Sequence, residues 1–167
     1  RGGRLVIALY TARPLMERSL ALQAAALGPE DLAVARMHYL LGSLLRRQGE
    51  YDSSRVHHVA ALAIRERVLG PAHTDVGYSL TGLANLEVDR GDYAAARGYY
   101  ERALANIAAR AGEECAEYAA ALANLALAEL GRGEREEAAR VMERALAIQR
   151  RALAPDDLDL AWSLSTL

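Results

Sequence analysis

A tight turn and an amphipathic helix are encoded by Gly91-Asp92-Tyr93-Ala94-Ala95-Ala96-Arg97-Gly98-Tyr99-Tyr100-Glu101-Arg102-Ala103-Leu104-Ala105. The pattern recurs forty-two residues later, where Gly133-Glu134 precedes Glu143-Arg144-Ala145-Leu146-Ala147. It also occurs forty-two residues earlier, where Gly49-Glu50-Tyr51 precedes Ala61-Leu62-Ala63-Ile64. A fixed period of this length is typical of stacked repeats. The chain is therefore predicted to be all-α, an α-solenoid of stacked antiparallel helix pairs.

Turns containing Gly and Pro divide the chain into repeats. Leu27-Gly28-Pro29 recurs as Leu69-Gly70-Pro71, and in weaker form as Ala111-Gly112-Glu113 and Leu153-Ala154-Pro155. We predict a single domain over residues 1–167, with complete repeats at 27–68, 69–110 and 111–152 and partial repeats at 1–26 and 153–167. An internal glycine splits each complete repeat into two helices.

The same stop signals and the apolar spacing predict the helices and the core. We expect no strand, and helices near residues 11–27, 31–48, 52–69, 74–90, 94–110, 115–132, 136–152 and 157–167. Residues 1–10 do not fit the repeat, because Gly2-Gly3 should break a helix. They are expected to be the end of a truncated helix or a strap over the core, with Thr11 capping the next helix and Pro14 in its first turn. The predicted core consists of Leu83, Ala84, Ala96, Ala103, Leu104, Leu125, Ala138, Ala145 and Leu146.

Composition excludes several classes of function. The formal net charge is −2, so no strongly basic surface indicates a nucleic-acid or membrane partner. All cationic side chains are Arg, and without Lys this segment has neither a Schiff-base lysine nor a GxxxxGK phosphate loop. Cys115 is the single cysteine, which excludes an internal disulfide and a CxxC metal site and favours an intracellular, cytoplasmic protein. The chain begins at Arg1 and stops inside a repeat, so we expect both ends to be the edges of a fragment.

Further motifs fall at the same positions of successive repeats. Leu69-Gly70-Pro71-Ala72-His73-Thr74-Asp75-Val76 begins the second repeat, and Leu80-Thr81-Gly82-Leu83-Ala84 matches Leu122-Ala123-Asn124-Leu125-Ala126. With the Gly-Asp/Glu-Tyr turns and Tyr100-Glu101-Arg102-Ala103-Leu104-Ala105, these motifs resemble tetratricopeptide repeats of the forty-two-residue, kinesin-light-chain-like kind. The resemblance covers residues 11–167, and it implies a scaffold that binds other proteins. The first repeat departs from the pattern at His38 and His57-His58, and the third has Arg135 where the turn tyrosine stands.

Signals for catalysis are weak. His57 and His58 are adjacent and point about 100° apart on a helix, so they cannot grip a metal as an i, i+4 pair would. One is expected to pack inward and the other to lie at the surface. His73 is expected to stabilise a turn and Cys115 to be a small packing residue, and the carboxylates Glu113, Glu114, Glu134, Glu136 and Glu137 to lie in first helical turns. We predict no catalytic residue, no metal site and no cofactor, and the chain is not expected to be an enzyme.

The resemblance implies that the first helix of each repeat lines a concave groove. The positions that match it are Arg36, Tyr39, Ser43, Arg46, Arg47, Tyr78, Thr81, Asn85, Val88, Asp89, Ala120, Ala123, Asn124, Leu127, Leu130, Trp162 and Thr166. The candidate partner-binding residues among them are Arg36, Tyr39, Arg46, Arg47, Tyr78, Asn85, Asn124 and Leu127. This gradient from basic and aromatic to apolar side chains suits an extended or helical peptide with acidic and apolar residues. A solvated arginine cluster is the alternative.

Asn85 and Asn124 match the two asparagine positions of the family's carboxylate clamp. Thr81, Trp162 and Thr166 stand where that clamp has cationic side chains, so a clamp for C-terminal carboxylates is not expected. The alternative for both asparagines is a solvated amide or a hydrogen bond between repeats.

The sequence thus predicts a non-catalytic scaffold that binds a protein or peptide partner and packs against further repeats of its own chain. The alternatives are a structural subunit of a cytoskeletal, axonemal or motor assembly, and the sensor repeats of a bacterial signalling NTPase.

Overall fold

The computed structural model describes residues 2–152, with side chains from residue 12 onward, and this part of the chain contains helices and no strand. The helices are α1 (Gly2–Leu27), α2 (Leu32–Arg47), α3 (Tyr51–Leu69), α4 (Thr74–Arg90), α5 (Tyr93–Ala111), α6 (Ala116–Arg132) and α7 (Arg135–Ala152). The boundaries of α2 to α7 lie within one residue of the predicted ones. The predicted helix over 157–167 lies outside the described residues.

Residues 2–10 are helical, which agrees with one of the two alternatives, but the predicted helix break at Gly2-Gly3 and the predicted cap at Thr11 are wrong. Helix α1 begins at Gly2 and contains both Thr11 and Pro14, so Thr11 does not cap a helix and Pro14 lies in a helix interior. Gly2 and Gly3 stand in the first turn, where the backbone N–H groups have no intrahelical partner in any case. A glycine there costs only about 1 kcal/mol relative to alanine, which is too little to end a helix of this length.

The turn inside a repeat is built by a left-handed glycine. Gly91 follows α4 with φ 78° and ψ 8°, and Gly133 follows α6 with φ 86° and ψ 4°. The N–H of Gly91 donates to Val88 and that of Asp92 to Glu87, both at 2.9 Å, which satisfies the last carbonyls of α4. Residues with a Cβ rarely adopt this left-handed conformation, whereas glycine adopts it readily. The glycine at this position therefore lets the chain turn back, so that the next helix runs antiparallel.

The helices form two compact units, one up to Pro71 and one from Ala72 onward. In the first unit, α2 packs against α1 and α3. One part of its core contains Val34, Ala35 and Ile64 with Leu20 and Ala24, and another contains Leu41, Leu44 and Leu45 with Ala12, Met16 and Leu20.

In the second unit, each helix from α4 to α7 packs against the next. A continuous core runs from Ala84 of α4 through α5 and α6 to Ile148 of α7. All nine predicted core residues are buried, with Leu104 and Leu125 the most exposed of them at 7%. Ala96 and Ala126 are both buried between neighbouring helices of this core.

Candidate partner-binding site

In the first unit, the predicted partner-binding residues lie on α2. Arg36 and Arg47 are exposed, whereas Tyr39 and Arg46 are half-buried. The ring of Tyr39 is held by α3, because the Arg65 guanidinium lies 5.0 Å from its centroid and the His58 ring meets it edge-on at 5.3 Å. Tyr39 therefore supports the packing of α2 on α3, and the arginines are the members of this set that reach solvent.

Arg36 also lines a cavity of about 230 Å³ with Gln23 of α1 and Ala33, Met37 and Leu40 of α2. Leu40 is 41% exposed. This part of the surface combines one guanidinium with apolar side chains, whereas the sequence predicted basic and aromatic groove residues in the first repeat.

In the second unit, the predicted residues lie on α4 and α6. Tyr78 is 54% exposed, while Asn85, Asn124 and Leu127 are half-buried. The amide oxygen of Asn85 accepts a hydrogen bond of 2.6 Å from Tyr100 Oη on α5. This contact lies within one repeat, so Asn85 has a structural partner of a kind the sequence did not predict.

Helical spacing places Tyr78 and Asn85 on one face of α4, and Asn124, Leu127 and Leu130 on one face of α6. Ala123, which the sequence analysis also placed in the groove, is fully buried in the core. The groove of the second unit therefore has fewer accessible members than the sequence indicated. That α2, α4 and α6 together line one concave surface stays a prediction.

Leu127 leads into a second cavity, of about 200 Å³, between α6 and α7. It is lined by Ala126, Leu127, Leu130, Arg135, Ala138, Ala139 and Met142. The lining is apolar apart from Arg135, and Leu130 is 50% exposed. The sequence did not predict this cavity, although Arg135 at a tyrosine position was a sign that this repeat differs.

The histidines of the first unit form a packed cluster. His38 Nδ1 lies 2.8 Å from His57 Nδ1, and burial lowers the pKa of both imidazoles, the neighbouring ring adding to the effect at His38. One of the two adjacent histidines packs inward, as predicted, and it is His58, which is 1% exposed. His57, the other one, is half-buried and does not lie fully at the surface. Burial, reinforced by Arg46, lowers the pKa of His58 to about 4. The imidazole of His58 is therefore neutral at pH 7 and acts as a core side chain.

Gly42 provides the space for that imidazole. A Cβ at Gly42 would lie 2.9 Å from Cδ2 of His58, and the carbonyl of Gly42 accepts a buried hydrogen bond of 2.8 Å from Ser54 Oγ. The equivalent positions in the next repeat are Ala84 and Tyr100, which are both buried. The histidine of the first repeat thus replaces an aromatic core residue, and packing explains its place.

His73 and Cys115 have structural roles, in line with the sequence analysis. His73 is the N-cap of α4, and its Nδ1 accepts a hydrogen bond of 3.1 Å from the N–H of Asp75. Cys115 precedes α6, donates weakly to the carbonyl of Gly112 at 3.4 Å and packs against the core. Among the described residues, no group of three or more His, Cys, Asp or Glu side chains is arranged to hold a metal ion.

The acidic residues before α6 are placed differently from the prediction. Glu113 and Glu114 precede the first turn of α6 and form ion pairs with α7, to Arg144 at 2.6 Å and Arg151 at 2.9 Å. They therefore link the two helices of the third repeat through ion pairs. They do not lie in the first turn of α6, where the prediction placed them for a favourable interaction with the helix dipole. Glu136 and Glu137 do lie in the first turn of α7.

A buried carboxylate at the contact between α5 and α6 was not predicted. Glu129 of α6 is 1% exposed and accepts from Arg132 at 2.7 Å, while Arg97 Nε of α5 lies 3.4 Å from its other oxygen. Beside it, the Tyr93 ring lies against the backbone of Gly131, where a Cβ would come within 2.5 Å of Tyr93 Cε1. The sequence indicated this buried carboxylate only by placing a glutamate where helical spacing predicts a core residue.

Comparison with known proteins identifies the repeat. Two sequence profiles described as Tetratricopeptide repeat match the chain, one over residues 34–109 and the other over residues 119–159. None of the curated proteins compared with the chain matches it. In the part of the chain that the structure describes, no helix is both long and apolar enough to cross a membrane.

Solved structures share the fold. BtubC (BKLC) from P. vanneervenii has a TM-score of 0.83 at 24% identity, over 95% of this chain and 63% of that one. A putative kinesin light chain from Podosopora anserina with nearly identical TPR-like repeats has a TM-score of 0.80 at 23% identity, over 93% of this chain and 74% of that one. A variant of the latter has a TM-score of 0.76 at 24% identity, over 86% of this chain and 68% of that one. The fold is thus that of kinesin-light-chain-like repeats, and the chain belongs to the tetratricopeptide repeat family.

Proposed function

We propose that this chain is a non-catalytic scaffold that binds a segment of another protein along the first helices of its repeats. The repeat family and fold are generally non-catalytic, and such repeats generally mediate contacts between proteins. The partner is a segment with acidic and apolar side chains. The proposed contacts are Arg36 and Arg47 on α2 of the first unit and, taken separately, Tyr78 on α4 of the second unit.

One observation supports this proposal most directly. Among the described residues of the second unit, the large apolar side chains that are exposed are Tyr78 and Leu130, which lie on α4 and α6. Both helices are the first of their repeats, whereas the outer faces of α5 and α7 carry Arg, Glu and Ala. Exposed aromatic and apolar side chains are the usual anchors of a binding surface, so the first helices are favoured over the second ones.

The experiment compares two double variants for capture of partners. Arg36→Ala with Tyr78→Ala removes one charge and one exposed ring from the proposed surface. Val56→Ala with Arg150→Ala is the matched control, since both side chains are exposed and lie on the second helices α3 and α7. We expect a partner that the parent and the control retain and the first variant loses, with weaker binding as salt rises.

Equal recovery of every partner by both variants would place the binding surface elsewhere. Both variants must also melt like the parent, and this is expected because all four side chains are exposed. Replacing Tyr39 or Asn85 would be a poorer test, because these side chains contact α3 and Tyr100 and their loss would disturb packing.

A structural subunit of a larger assembly is the second candidate, and the first unit favours it. There the exposed apolar side chains include Leu15 and Leu22 on α1 and Val56 on α3, at 70%, 61% and 67%. Surfaces on several sides would then be covered by neighbouring subunits of a cytoskeletal or motor assembly. Amide hydrogen exchange in the assembled state tests this candidate. Slower exchange in α1 and α3 than in the isolated chain, with unchanged exchange in α2 and α4, would favour it.

A further inference from the structure

The first repeat differs from the second at two positions where α2 meets α3. His38 of α2 stands where the second repeat has Leu80. His57 of α3 stands where the second repeat has Tyr99. Leu80 is buried and Tyr99 packs against the core, so an aliphatic and an aromatic group fill these positions in the second repeat. Packing alone therefore does not require two imidazoles here.

The two imidazoles approach each other through the same ring atom. His38 Nδ1 lies 2.8 Å from His57 Nδ1, while the ring centroids are 5.1 Å apart and the ring planes are inclined by 37°. The rings are thus not stacked, and their Nδ1 atoms face each other. When no ion is bound, one Nδ1 carries a proton and donates it to the lone pair of the other.

The distance between these nitrogens is also that of two ligands of one metal ion. A metal–nitrogen bond of about 2.0 Å places two nitrogens about 2.8 Å apart when they bind at right angles, and about 3.3 Å apart in tetrahedral coordination. Right-angle coordination by nitrogen is typical of Cu²⁺ and Ni²⁺. Among the described residues no third His, Cys, Asp or Glu is placed to complete a site. Both histidines are half-buried, so solvent can supply the remaining ligands.

The charged side chains near the pair favour a cation. Glu17 and Arg13 of α1 act electrostatically on the His57 ring in opposite directions, and the carboxylate has the larger effect. Arg13 is itself paired with Glu17 at 2.8 Å and with Glu50 at 2.6 Å. Two carboxylates therefore accompany one guanidinium, so negative charge exceeds positive charge beside the two imidazoles.

We propose that His38 and His57 form a chelating site for a divalent transition-metal ion, with Cu²⁺ bound most tightly. Both Nδ1 atoms bind the ion through their lone pairs, and the imidazole that donated its Nδ1 proton carries it on Nε2 instead. The bound ion links α2 to α3 within the first repeat. The sequence analysis predicted no metal site, because it considered the adjacent His57 and His58, whereas the structure pairs His57 with His38. This inference goes beyond the proposed function and does not depend on the partner-binding residues.

The test is isothermal titration calorimetry of the whole chain with copper(II) chloride near pH 7. All proteins carry Cys115→Ser, because a thiol also binds copper and can reduce it. We expect one Cu²⁺ per chain. The double variant with His38→Leu and His57→Tyr has the side chains of the second repeat at these positions, so it is expected to fold, and it should bind at least tenfold more weakly. The matched control is His73→Asn, which removes another histidine and keeps an N-cap side chain. It should bind within twofold of the parent.

The single variants test whether the two imidazoles act together. His38→Leu and His57→Tyr should each weaken binding at least tenfold, because one imidazole alone cannot chelate. Copper should also raise the urea midpoint of the parent and leave that of the double variant unchanged, since the ion binds the folded pair.

Three results would overturn the proposal. The first is binding by the double variant within twofold of the parent, and the second is a loss of only about twofold in each single variant, which indicates independent imidazoles. The third does not depend on any variant of the pair: an electron paramagnetic resonance spectrum of the copper-loaded chain without coupling to two imidazole nitrogens.

Discussion

The substitution Gly131→Ala tests how α5 and α6 meet, and its two effects have opposite signs. Alanine in place of a helical glycine stabilises by about 0.5–1 kcal/mol, with the lower end expected near a helix end. The new Cβ would lie 2.5 to 2.7 Å from three ring atoms of Tyr93, closer than any van der Waals contact. Such overpacking costs about 1–3 kcal/mol. We therefore expect Gly131→Ala to lower the free energy of unfolding by about 0.5–2.5 kcal/mol.

The effect should change sign when the ring is removed. In a Tyr93→Ala background the clash is absent, and Gly131→Ala should then stabilise by about 0.5 kcal/mol. The coupling between the two positions is thus about 1–3 kcal/mol, as expected for side chains in contact. Gly98→Ala is the matched control, because Gly98 is exposed in α5 and a Cβ there meets nothing within 4 Å. It should stabilise by about 0.5–1 kcal/mol in both backgrounds.

Urea denaturation followed by circular dichroism measures these changes. With a slope of about 2 kcal/mol per M, a change of 1 kcal/mol moves the midpoint by about 0.5 M. If Gly131→Ala stabilised equally with and without the Tyr93 ring, the ring would not lie on Gly131 and the packing of α5 on α6 described above would be refuted.

Two further predictions concern the core. The folded-state pKa of His58 is about 4, below the ordinary 6.5, so protonation favours the unfolded chain and stability is lost as pH falls from about 6.5 to 4. His58→Met should reduce the change in the urea midpoint between pH 7 and 4, with the remainder due in part to His38 and His57, whose pKa values burial also lowers. An unchanged pH dependence would contradict the assignment. Ala103 is fully buried, so Ala103→Glu should lower the free energy of unfolding by about 3 kcal/mol or more, because it overpacks the core and buries a charge. Ala105→Glu on the exposed face of the same helix is its control, and equal melting of the two variants would contradict the stacking of α5.

The sequence by itself determined the repeat, the turns and the helices from α2 onward. These features are local or periodic: Gly91 and Gly133 are where a left-handed residue is needed, and alanine and leucine at three- and four-residue spacing mark the buried stripe. The same signals did not fix the start of α1, because two glycines in a first turn weaken a helix without ending it.

Only the tertiary structure decided which side chains meet across helices. The contact of Tyr93 with Gly131, the pairing of His38 with His57 and the hydrogen bond from Tyr100 to Asn85 depend on how one helix crosses the next. Helical periodicity gives the direction in which a side chain points around the axis of its helix. It does not give the distance from that side chain to a neighbouring helix. The cavity at Arg135 appears for the same reason only in three dimensions, since its lining comes from two helices joined by a turn.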